Sequence, residues 1–407
     1  MTILPVVVGG DIGAYAMVRA FHEAFGATSV VLAKVVTRPF EASRLAEVRV
    51  ADVEDEAALV AALEQVAADH PSSRRVLLTN ADWYVGMINA NRDRLEPLFD
   101  IALCSADNFD RVSSKERFQQ DCEALGIPVP ATVHVRPGDG VDDATAAALD
   151  ALTFPVVGKP SSSAEYHYVE FAGKLKVHHL DSREEVDALI AKLAGAGFTG
   201  TFLFQEFIPG DETHMRSLTA YRSAQGRVTL LATGRVLLEE HTPGTLGIPA
   251  AILTEPYADA MDAMSRYLEH IDYRGFANAD FKLDPRTGRH VFFEVNPRIG
   301  RNNWYVTAAG ANVAEHVVAD LEGRAIEPVR VDREVLYTVV PVRLLLRYLP
   351  DVELRRRVEG AAIRALARPL MSPADRALRR MVAVWGMTLN HYRKYKRHYP
   401  EYTATGF

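Results

Sequence analysis

The sequence predicts an open α/β domain at the N-terminus, a mixed α+β region after it and a helical C-terminal part. Three observations support this fold class. Apolar runs alternate with helical patterns near the N-terminus, further apolar runs end in polar loops over the middle of the chain, and helical patterns dominate the end. The length of 407 residues is enough for two to three domains.

The first α/β unit is a strand over residues 4–8 that runs into the turn Gly9-Gly10-Asp11-Ile12-Gly13. A helical pattern over 15–25 follows, and further strands are predicted at 30–35, 48–50 and 75–79 with a helix at 55–68. The glycine turn does not have the G-x-G-x-x-G spacing of dinucleotide sites. The units indicate a mostly parallel sheet, whose ligands bind beyond the carboxyl ends of its strands.

Asp11 and the segment Asn80-Ala81-Asp82 occur at such strand ends. Asp11 is therefore a candidate substrate-binding residue. The alternative is that these side chains cap the helices that follow them, which Asp and Asn commonly do.

A domain boundary is expected near residue 110, before a helix that begins at Ser113-Ser114-Lys115. Farther along, a strand over 154–160 ends in Lys159 and is followed by Ser161-Ser162-Ser163. A lysine and a loop of small residues after a strand can direct an ammonium group and backbone donors at a polyphosphate. No P-loop motif is present.

The central feature is a pair of alternating apolar and polar runs at 276–283 and 291–296, separated by a turn with Pro and Gly. This pattern predicts a β-hairpin. With a five-residue loop, Asp280 faces Glu294, and Asn278 faces Asn296 on the same side. Two opposed carboxylates repel each other, and with an amide oxygen they form an oxygen ligand set suited to Mg²⁺. The alternative is a solvated strand face.

Arg298 and Arg301 follow the hairpin directly after Pro297. Phosphate oxygens bridged by a metal ion need cationic partners, and both arginines are placed to provide them. This neighbourhood favours a phosphate-binding site over a solvated face.

Composition sets further limits. Cys104 and Cys122 form neither a disulfide framework nor a metal-binding spacing, so a reducing cytoplasm is expected and both thiols are expected to be buried. From its first residues no signal peptide is expected, and no run of apolar residues is long enough to predict a membrane-spanning helix. We therefore expect a cytoplasmic protein.

The net charge of -7 is unevenly distributed, because residues 343–407 contain 14 Lys and Arg against 5 Asp and Glu. Helices are predicted at 352–367 and 373–399, and the second ends in basic residues interleaved with tyrosines. One interpretation is a peripheral contact with anionic lipid headgroups at the inner face of the membrane, or with an anionic precursor. The other is a solvated helix packed on the body. Nucleic acid is not expected as a partner.

These motifs, in this order, resemble the ATP-grasp superfamily over residues 111–325. The resemblance implies an N-terminal α/β domain at 1–110, an ATP-grasp domain of two subdomains with ATP between them at 111–325, and a basic helical region at 326–407. By position, Lys115 and Lys159 would reach nucleotide phosphates. The resemblance also assigns Gln205, Glu206 and Ile208 to adenine and Glu212 to the ribose hydroxyls. Where the family usually has a glycine-rich loop, this sequence has serines.

The resemblance further implies that Asp280, Glu294 and Asn296 hold Mg²⁺, or Mn²⁺, and that Arg298 and Arg301 are catalytic. The sequence is most similar to the D-aspartate ligase-like branch of carboxylate-amine ligases. That similarity rests on Gly9 to Ile12, on Ser163-Ala164-Glu165-Tyr166, on residues 296–301 and on the basic tail. Such enzymes join an amino acid to an amine of a cell-wall precursor through an acyl phosphate.

Several alternatives remain open. The chain could be an ATP-grasp ligase of another small-molecule or peptide pathway, with other carboxylate and amine substrates. It could also be a catalytically silent nucleotide-binding protein that docks at anionic membranes. Carboxylation of a bound cofactor is less well supported, because no carrier segment is present.

Overall fold

A computed structural model describes residues 2–161, 166, 169–175 and 177–405. The chain forms two compact units. The larger contains Met1–Leu125, Gly210–Leu283 and Glu294–Phe407, and the smaller contains Gly126–Pro209 and Asp284–Phe293. Each unit therefore joins stretches that are distant in sequence. The division into three parts at residues 110 and 325 remains a prediction.

The first sheet of the larger unit has five parallel strands in the order β3-β2-β1-β4-β5. The strands are β1 (Ile3–Val8), β2 (Ser29–Ala33), β3 (Ala46–Val50), β4 (Arg74–Thr79) and β5 (Asp100–Ile101). The order reverses at β1, which has β2 on one side and β4 on the other. The loops after β1 and β4 thus leave the sheet at its switch point, where open α/β sheets bind ligands.

Most helices of this part begin at side-chain caps that the sequence provides. Asp11 accepts a hydrogen bond from the backbone of Ala14, and Ser114 accepts one from Arg117. The helices are α1 (Ile12–Phe25), α2 (Glu56–Asp69), α3 (Asp82–Ala90), α4 (Arg92–Leu95), α5 (Ala106–Ser113) and α6 (Lys115–Ala124). Val7 packs in one core cluster with α1, whereas Val6 and Val8 pack in another with α2, so both faces of β1 are covered.

The smaller unit has a four-stranded antiparallel sheet in the order β6-β9-β7-β8. Its elements are β6 (Thr132–Val135), α7 (Asp143–Asp150), β7 (Val156–Pro160), β8 (His178–Leu180), α8 (Arg183–Gly195) and β9 (Phe202–Glu206). Aromatic rings of Phe198, Phe202 and Phe204 lie in its core. The predicted strand that ends in Lys159 is β7.

The second sheet of the larger unit is mixed and has eight strands, seven of them in the order β14-β13-β10-β11-β12-β16-β17, with β15 beside β11. These strands are β10 (Met215–Arg222), β11 (Val228–Glu239), β12 (Pro249–Thr254), β13 (Gly275–Leu283), β14 (His290–Asn296), β15 (Val329–Arg330), β16 (Leu336–Thr338) and β17 (Leu366–Ala367). The helices around them are α9 (Ala258–His270), α10 (Trp304–Ala308) and α11 (Val313–Leu321). Strands β13 and β14 are neighbours, which confirms the predicted hairpin.

The C-terminal helices are α12 (Val342–Leu345), α13 (Val352–Arg364) and α14 (Leu378–His398). The prediction of a helix over 352–367 was wrong at its end, because Leu366 and Ala367 pair with Leu336 and Tyr337 of β16. The predicted helix at 373–399 also begins too early, because α14 starts at Leu378. Within the described residues, no helix combines the length and apolarity needed to cross a membrane.

A buried ion pair joins Asp375, which precedes α14, to Arg380 in the first turn of that helix. Arg380 Nε lies 2.8 Å from Asp375 Oδ2, and neither side chain is exposed. Asp375 also accepts hydrogen bonds from Tyr15 and Ser43. The start of α14 is thereby fixed against the N-terminal part of the larger unit. Cys104 and Cys122 are free and buried, as predicted.

Candidate active site

The hairpin brings the three predicted metal ligands together on the larger unit. The side-chain amide of Asn296 donates to Asp280 Oδ2 at 3.2 Å and to the backbone oxygen of Asn278 at 3.3 Å. Burial, and then the nearby charge of Glu294, raise the pKa of Asp280 to about 7. Two carboxylates held this close favour a proton or a cation between them.

The described residues contain no group of three or more His, Cys, Asp or Glu side chains that could hold a metal ion. Asn296 is an amide, so this observation leaves the predicted ligand set of Asp280, Glu294 and Asn296 untested. Asn296 currently presents its amino group to Asp280. A metal ligand would have to present the amide oxygen, which a flip of the amide would achieve.

Arg298 lies directly after the hairpin and faces the loop beyond β4. Its Nε lies 3.0 Å from Asp82 Oδ1, and its backbone N–H donates to the oxygen of Asn296 at 2.8 Å. The Arg298 side chain is mostly shielded from solvent, whereas Asp82 is half-exposed. The positive charge of Arg298 partly offsets the rise in the pKa of Asp280. Arg298 therefore contributes to the electrostatic environment of the hairpin.

Arg301 lies between two carboxylates. Its Nη1 is 2.8 Å from Glu240 Oε1, and its Nε is 3.2 Å from Asp11 Oδ2. Burial alone would lower the pKa of Arg301, but Glu240 and Asp11 outweigh it and raise the pKa above its usual value. Burial would raise the pKa of Glu240, but the charge of Arg301 outweighs burial and the pKa of Glu240 is lowered. Both groups are therefore charged at neutral pH.

Asp11 has structural partners that the sequence only partly indicated. It caps helix α1, accepts a hydrogen bond from Asn80 Nδ2 at 3.0 Å and pairs with Arg301. The alternative interpretation of Asp11 as a helix cap is thus confirmed, and its contact with substrate remains a prediction. Gly13 is required nearby, because a Cβ there would lie 2.7 Å from the Arg301 Cα.

The smaller unit holds the residues predicted to contact adenine and phosphate. Lys159 Nζ donates to Gln205 Oε1 at 3.0 Å, and Gln205 Nε2 donates to Thr132 Oγ1 at 2.9 Å. The amide oxygen of Gln205 therefore already serves as an acceptor. Glu206 pairs with Arg286 at 3.0 Å, and the Ile208 side chain is buried.

Two predicted nucleotide residues belong to the larger unit. Lys115 is the first residue of α6 and is partly exposed. Glu212 lies in a 3₁₀ turn, Glu212–His214, where it is buried and accepts a hydrogen bond from the backbone of Glu239 at 2.9 Å. Its other carboxylate oxygen contacts His241 Nε2, and burial raises its pKa.

Sequence reasoning missed Asp82 and Glu240 as ion-pair partners, and His241 beside Glu212. It left open whether the segment with the C-terminal tyrosines faces a membrane or packs on the body, and Tyr395 and Tyr399 are buried. Their spacing of four residues, with Tyr402 three further on, was a usable signal of one inward-facing side. Residues 162–165, which include most of the serine loop and of the Ser-Ala-Glu-Tyr pattern, lie outside the described residues.

Comparison with known proteins places the hairpin in a recognised domain. A model of the ATP-binding domain of the carbamoyl-phosphate synthase L chain matches residues 222–317, which include β13 and β14. D-aspartate ligase from Enterococcus faecium (strain Aus0004) is 29% identical, and the alignment covers 97% of this chain and 96% of that protein.

Solved structures agree on the fold. N5-carboxyaminoimidazole synthetase from Staphylococcus aureus complexed with ADP is similar with a TM-score of 0.57 at 14% identity, over 83% of this chain and 82% of that one. The chain has the ATP-grasp fold, and its residues 222–317 match the ATP-binding domain model. An L-amino acid ligase from Bacillus licheniformis has a TM-score of 0.50 at 14% identity, over 74% of this chain and 68% of that one.

The matches to the family model and to D-aspartate ligase support an ATP-dependent carboxylate-amine ligase, an enzyme that forms a carbon–nitrogen bond with release of ADP. The segment matched by the family model supports ATP binding. The hairpin, Arg298 and Arg301 all lie within the matched segment.

Proposed function

We propose that this ATP-grasp ligase joins an amino acid resembling D-aspartate to an amine of a peptidoglycan precursor through an acyl phosphate. The observation that carries the proposal is the group formed by Asp280, Glu294 and Asn296 with Arg298 beside it. The D-aspartate ligase from Enterococcus faecium, which covers nearly the whole chain, supports the choice of amino acid. A cytoplasmic location is part of the same proposal.

The donor set at the hairpin fits a divalent cation. Asp280 and Glu294 repel each other, and Asn296 adds a neutral oxygen, which is the hard ligand set that Mg²⁺ prefers. These three residues would hold Mg²⁺, or Mn²⁺. When bound, the ion would offset negative charge on the phosphoryl oxygens during transfer.

The nucleotide contacts are proposed residue by residue. Lys115 and Lys159 would donate to phosphate oxygens, and Gln205 would offer its amide oxygen to the adenine amino group. The backbones of Glu206 and Ile208 would contact the base edge. Glu212 would accept hydrogen bonds from the ribose hydroxyls.

The reaction needs activation, because a carboxylate is a poor electrophile. A carboxylate oxygen of the amino acid attacks the γ-phosphorus, the bond to the β-phosphate oxygen breaks, and ADP leaves. The amine nitrogen then attacks the acyl carbon, the carbon–oxygen bond breaks, and phosphate leaves as the amine loses a proton. Arg298, oriented by Asp82, would stabilise the oxyanion at that carbon. Arg301 would act beside it.

The proposal is tested by measuring release of ADP and phosphate with Mg²⁺ and ATP across D- and L-amino acids, with and without a lysine-containing cell-wall precursor. The expected result is release that needs one amino acid and the amine, and that falls at least about 100-fold in Glu294→Gln. ATP binding without release for any pair would instead support the nucleotide-binding alternative. Release with another carboxylate would favour a different ligase pathway.

The outward face of α14 favours a second proposal, a peripheral contact with anionic lipid. Four exposed apolar residues at helical spacing share this face. They are Leu378, Val382, Trp385 and Leu389. No Asp or Glu occurs in α14, and exposed basic residues flank the stripe, among them Arg379, Arg393, Lys396 and Arg397. An apolar stripe with cationic flanks is complementary to an anionic membrane surface.

Vesicle flotation tests this contact. The full chain should float with vesicles containing anionic lipid, remain unbound to neutral vesicles, and lose binding in the double variant Trp385→Ser and Leu389→Ser. Absence of flotation with anionic vesicles would reject the contact. A concentration-dependent dimer that the same double variant disrupts would instead identify a second copy as the partner.

A further inference from the structure

Three tyrosines at the end of the chain converge on the turn that carries Glu212, and all these residues belong to the larger unit. Tyr395 Oη donates to the backbone oxygen of Glu239 at 2.6 Å. The ring of Tyr399 stacks on His241, with centroids 3.6 Å apart and an angle of 5° between the planes. Tyr402 Oη donates to Asp211 Oδ2 at 2.7 Å. The C-terminal end therefore packs on this turn at three points.

Two of these tyrosine contacts reach residues that bind Glu212, and the third reaches the residue that caps its turn. The backbone N–H of Glu239 donates to one carboxylate oxygen of Glu212, and His241 Nε2 contacts the other. Asp211 caps the short turn by accepting from the backbone N–H of Thr213 at 3.0 Å. The tail thus contacts the partners of Glu212 and not the carboxylate itself.

The tail is itself fixed in place. Tyr348 Oη donates to the backbone oxygen of Tyr399 at 2.5 Å, and the two rings stack with centroids 5.2 Å apart. His241, Tyr399 and Tyr348 therefore form a continuous stack of three rings. The side chains of His241 and Glu212 are 6% and 8% exposed, so water competes little for their contact.

A carboxylate offers about four acceptor positions, of which His241 and Glu239 occupy two. In the proposed site, ribose hydroxyls would donate to the remaining positions. A charged carboxylate in so buried a place needs its partners in fixed positions, because an unpaired buried charge is costly. The plane of His241, and hence the direction of its Nε2, is set by the Tyr399 ring.

We propose that the C-terminal tyrosines position Glu212 to accept hydrogen bonds from the ribose hydroxyls, so that the tail sets the preference for a ribonucleotide. This inference rests on the proposed ATP site and on the role of Glu212 in it. Tyr399 and His241 are positioning residues, because they act through Glu212. The C-terminal region then has two functional surfaces. One is the outward face of α14, and the other is formed by the three tyrosines that support the nucleotide site.

The test compares the affinity of the full chain for ADP, 2′-deoxy-ADP and 3′-deoxy-ADP by calorimetry, which avoids turnover. The wild-type chain should prefer ADP to at least one deoxy form by about 10-fold, the size expected for one hydrogen bond to a charged group. Tyr399→Ala should weaken the binding of ADP until the ratio of ADP affinity to deoxy-ADP affinity falls below about twofold. The affinities for the deoxy forms should stay unchanged. Tyr399→Phe, which keeps the ring, should retain the preference.

Two comparisons separate the possible failures. Asn390→Ala, at an exposed position of α14, should change none of the affinities. Equal weakening of ADP and the deoxy forms by Tyr399→Ala would mean that the tail only stabilises the fold, which overturns the inference. If Glu212→Gln also leaves the ratio unchanged, Glu212 is not the ribose ligand and the inference fails. Amide formation in the ligase assay decides the proposed function independently.

A variant with a smaller structural effect covers the case in which Tyr399→Ala does not fold. Tyr402→Phe removes only the hydroxyl that donates to Asp211. It should reduce the ratio of ADP to deoxy-ADP affinity by about threefold, with unchanged circular dichroism. An unchanged ratio in this folded variant, together with a reduced ratio in Glu212→Gln, would show that the tail does not position Glu212.

Discussion

Arg301 and Glu240 form a largely buried ion pair, with Nη1 2.8 Å from Oε1 and side chains that are 19% and 3% exposed. Asp11, at the end of β1, contacts the same guanidinium. Arg301 therefore links the parallel sheet to the loop after β11. Its position depends on carboxylates from two separate parts of the larger unit.

Removing the charge of Glu240 should destabilise the protein. In Glu240→Gln, Arg301 keeps only Asp11 as an anionic partner, and the loss of one member of a buried pair costs about 3 kcal/mol of unfolding free energy. Urea denaturation at pH 7 measures the difference. The exposed pair of Lys34 and Glu54 provides the control, because Glu54→Gln should cost less than about 1 kcal/mol. Equal effects of the two substitutions would contradict the assigned burial of the Arg301 pair.

The pKa of Asp280 predicts a dependence of stability on pH. Burial and Glu294 raise this pKa to about 7 in the folded protein, above the unfolded value of roughly 3.9. The folded state therefore binds more protons between these values, and this group makes the free energy of unfolding fall as pH rises from about 4 to about 7. Asp280→Asn should remove that fall and be more stable than the wild type at pH 8 without metal.

Urea denaturation at pH 5 and pH 8, in the presence of a chelator, checks this expectation. Asp280→Asn should also lose ligase activity, so that stability and activity change in opposite directions. Parallel pH profiles for the variant and the wild type would show that Asp280 is not the group with the raised pKa.

Lys159 is expected to act on phosphate and not on the base. In Lys159→Met the affinity for ATP should fall about 10-fold, whereas the affinity for AMP should stay within twofold, because AMP lacks the outer phosphates. Calorimetry measures both. Lys192→Met, at an exposed position of the same unit, should leave both affinities unchanged. Equal losses of affinity for ATP and for AMP would show that Lys159 does not act on the outer phosphates.

The pair of Asp375 and Arg380 should be essential to the packing of α14. In Asp375→Asn the fully buried guanidinium of Arg380 loses its anionic partner, at a cost of about 3 kcal/mol in the free energy of unfolding. The neighbouring Arg379 is 80% exposed, so Arg379→Gln should cost less than about 1 kcal/mol. Denaturation of both variants measures the two losses in the free energy of unfolding. Equal losses would show that the buried pair is not essential to the packing of α14.

The features that sequence could predict are those with a local cause. Strand parity put Asp280, Glu294 and Asn296 on one hairpin, because alternation along a strand fixes which side chains share a face. The helix start at Ser114 was recognisable because its capping side chain bonds to the following turn.

Features set by distant contacts were not predictable. Glu240 is 61 residues from Arg301, and Tyr395 is 156 residues from the backbone oxygen it contacts at Glu239. The predicted C-terminal end of the helix at 352–367 was wrong for the same reason. Pairing with β16 overrides helical propensity there. The spacing of the tyrosines near the C-terminus could indicate a shared inward side, but only the folded structure shows which residues they contact.

The most direct measurement of the central claim follows oxygen from the amino acid into phosphate. D-aspartate labelled with ¹⁸O in its carboxylates is incubated with ATP, Mg²⁺ and the amine acceptor, and the released phosphate is analysed by mass spectrometry. An acyl phosphate intermediate predicts one labelled oxygen in each phosphate. Phosphate without label, released together with amide product, would contradict the acyl phosphate and the roles assigned to the hairpin and Arg298.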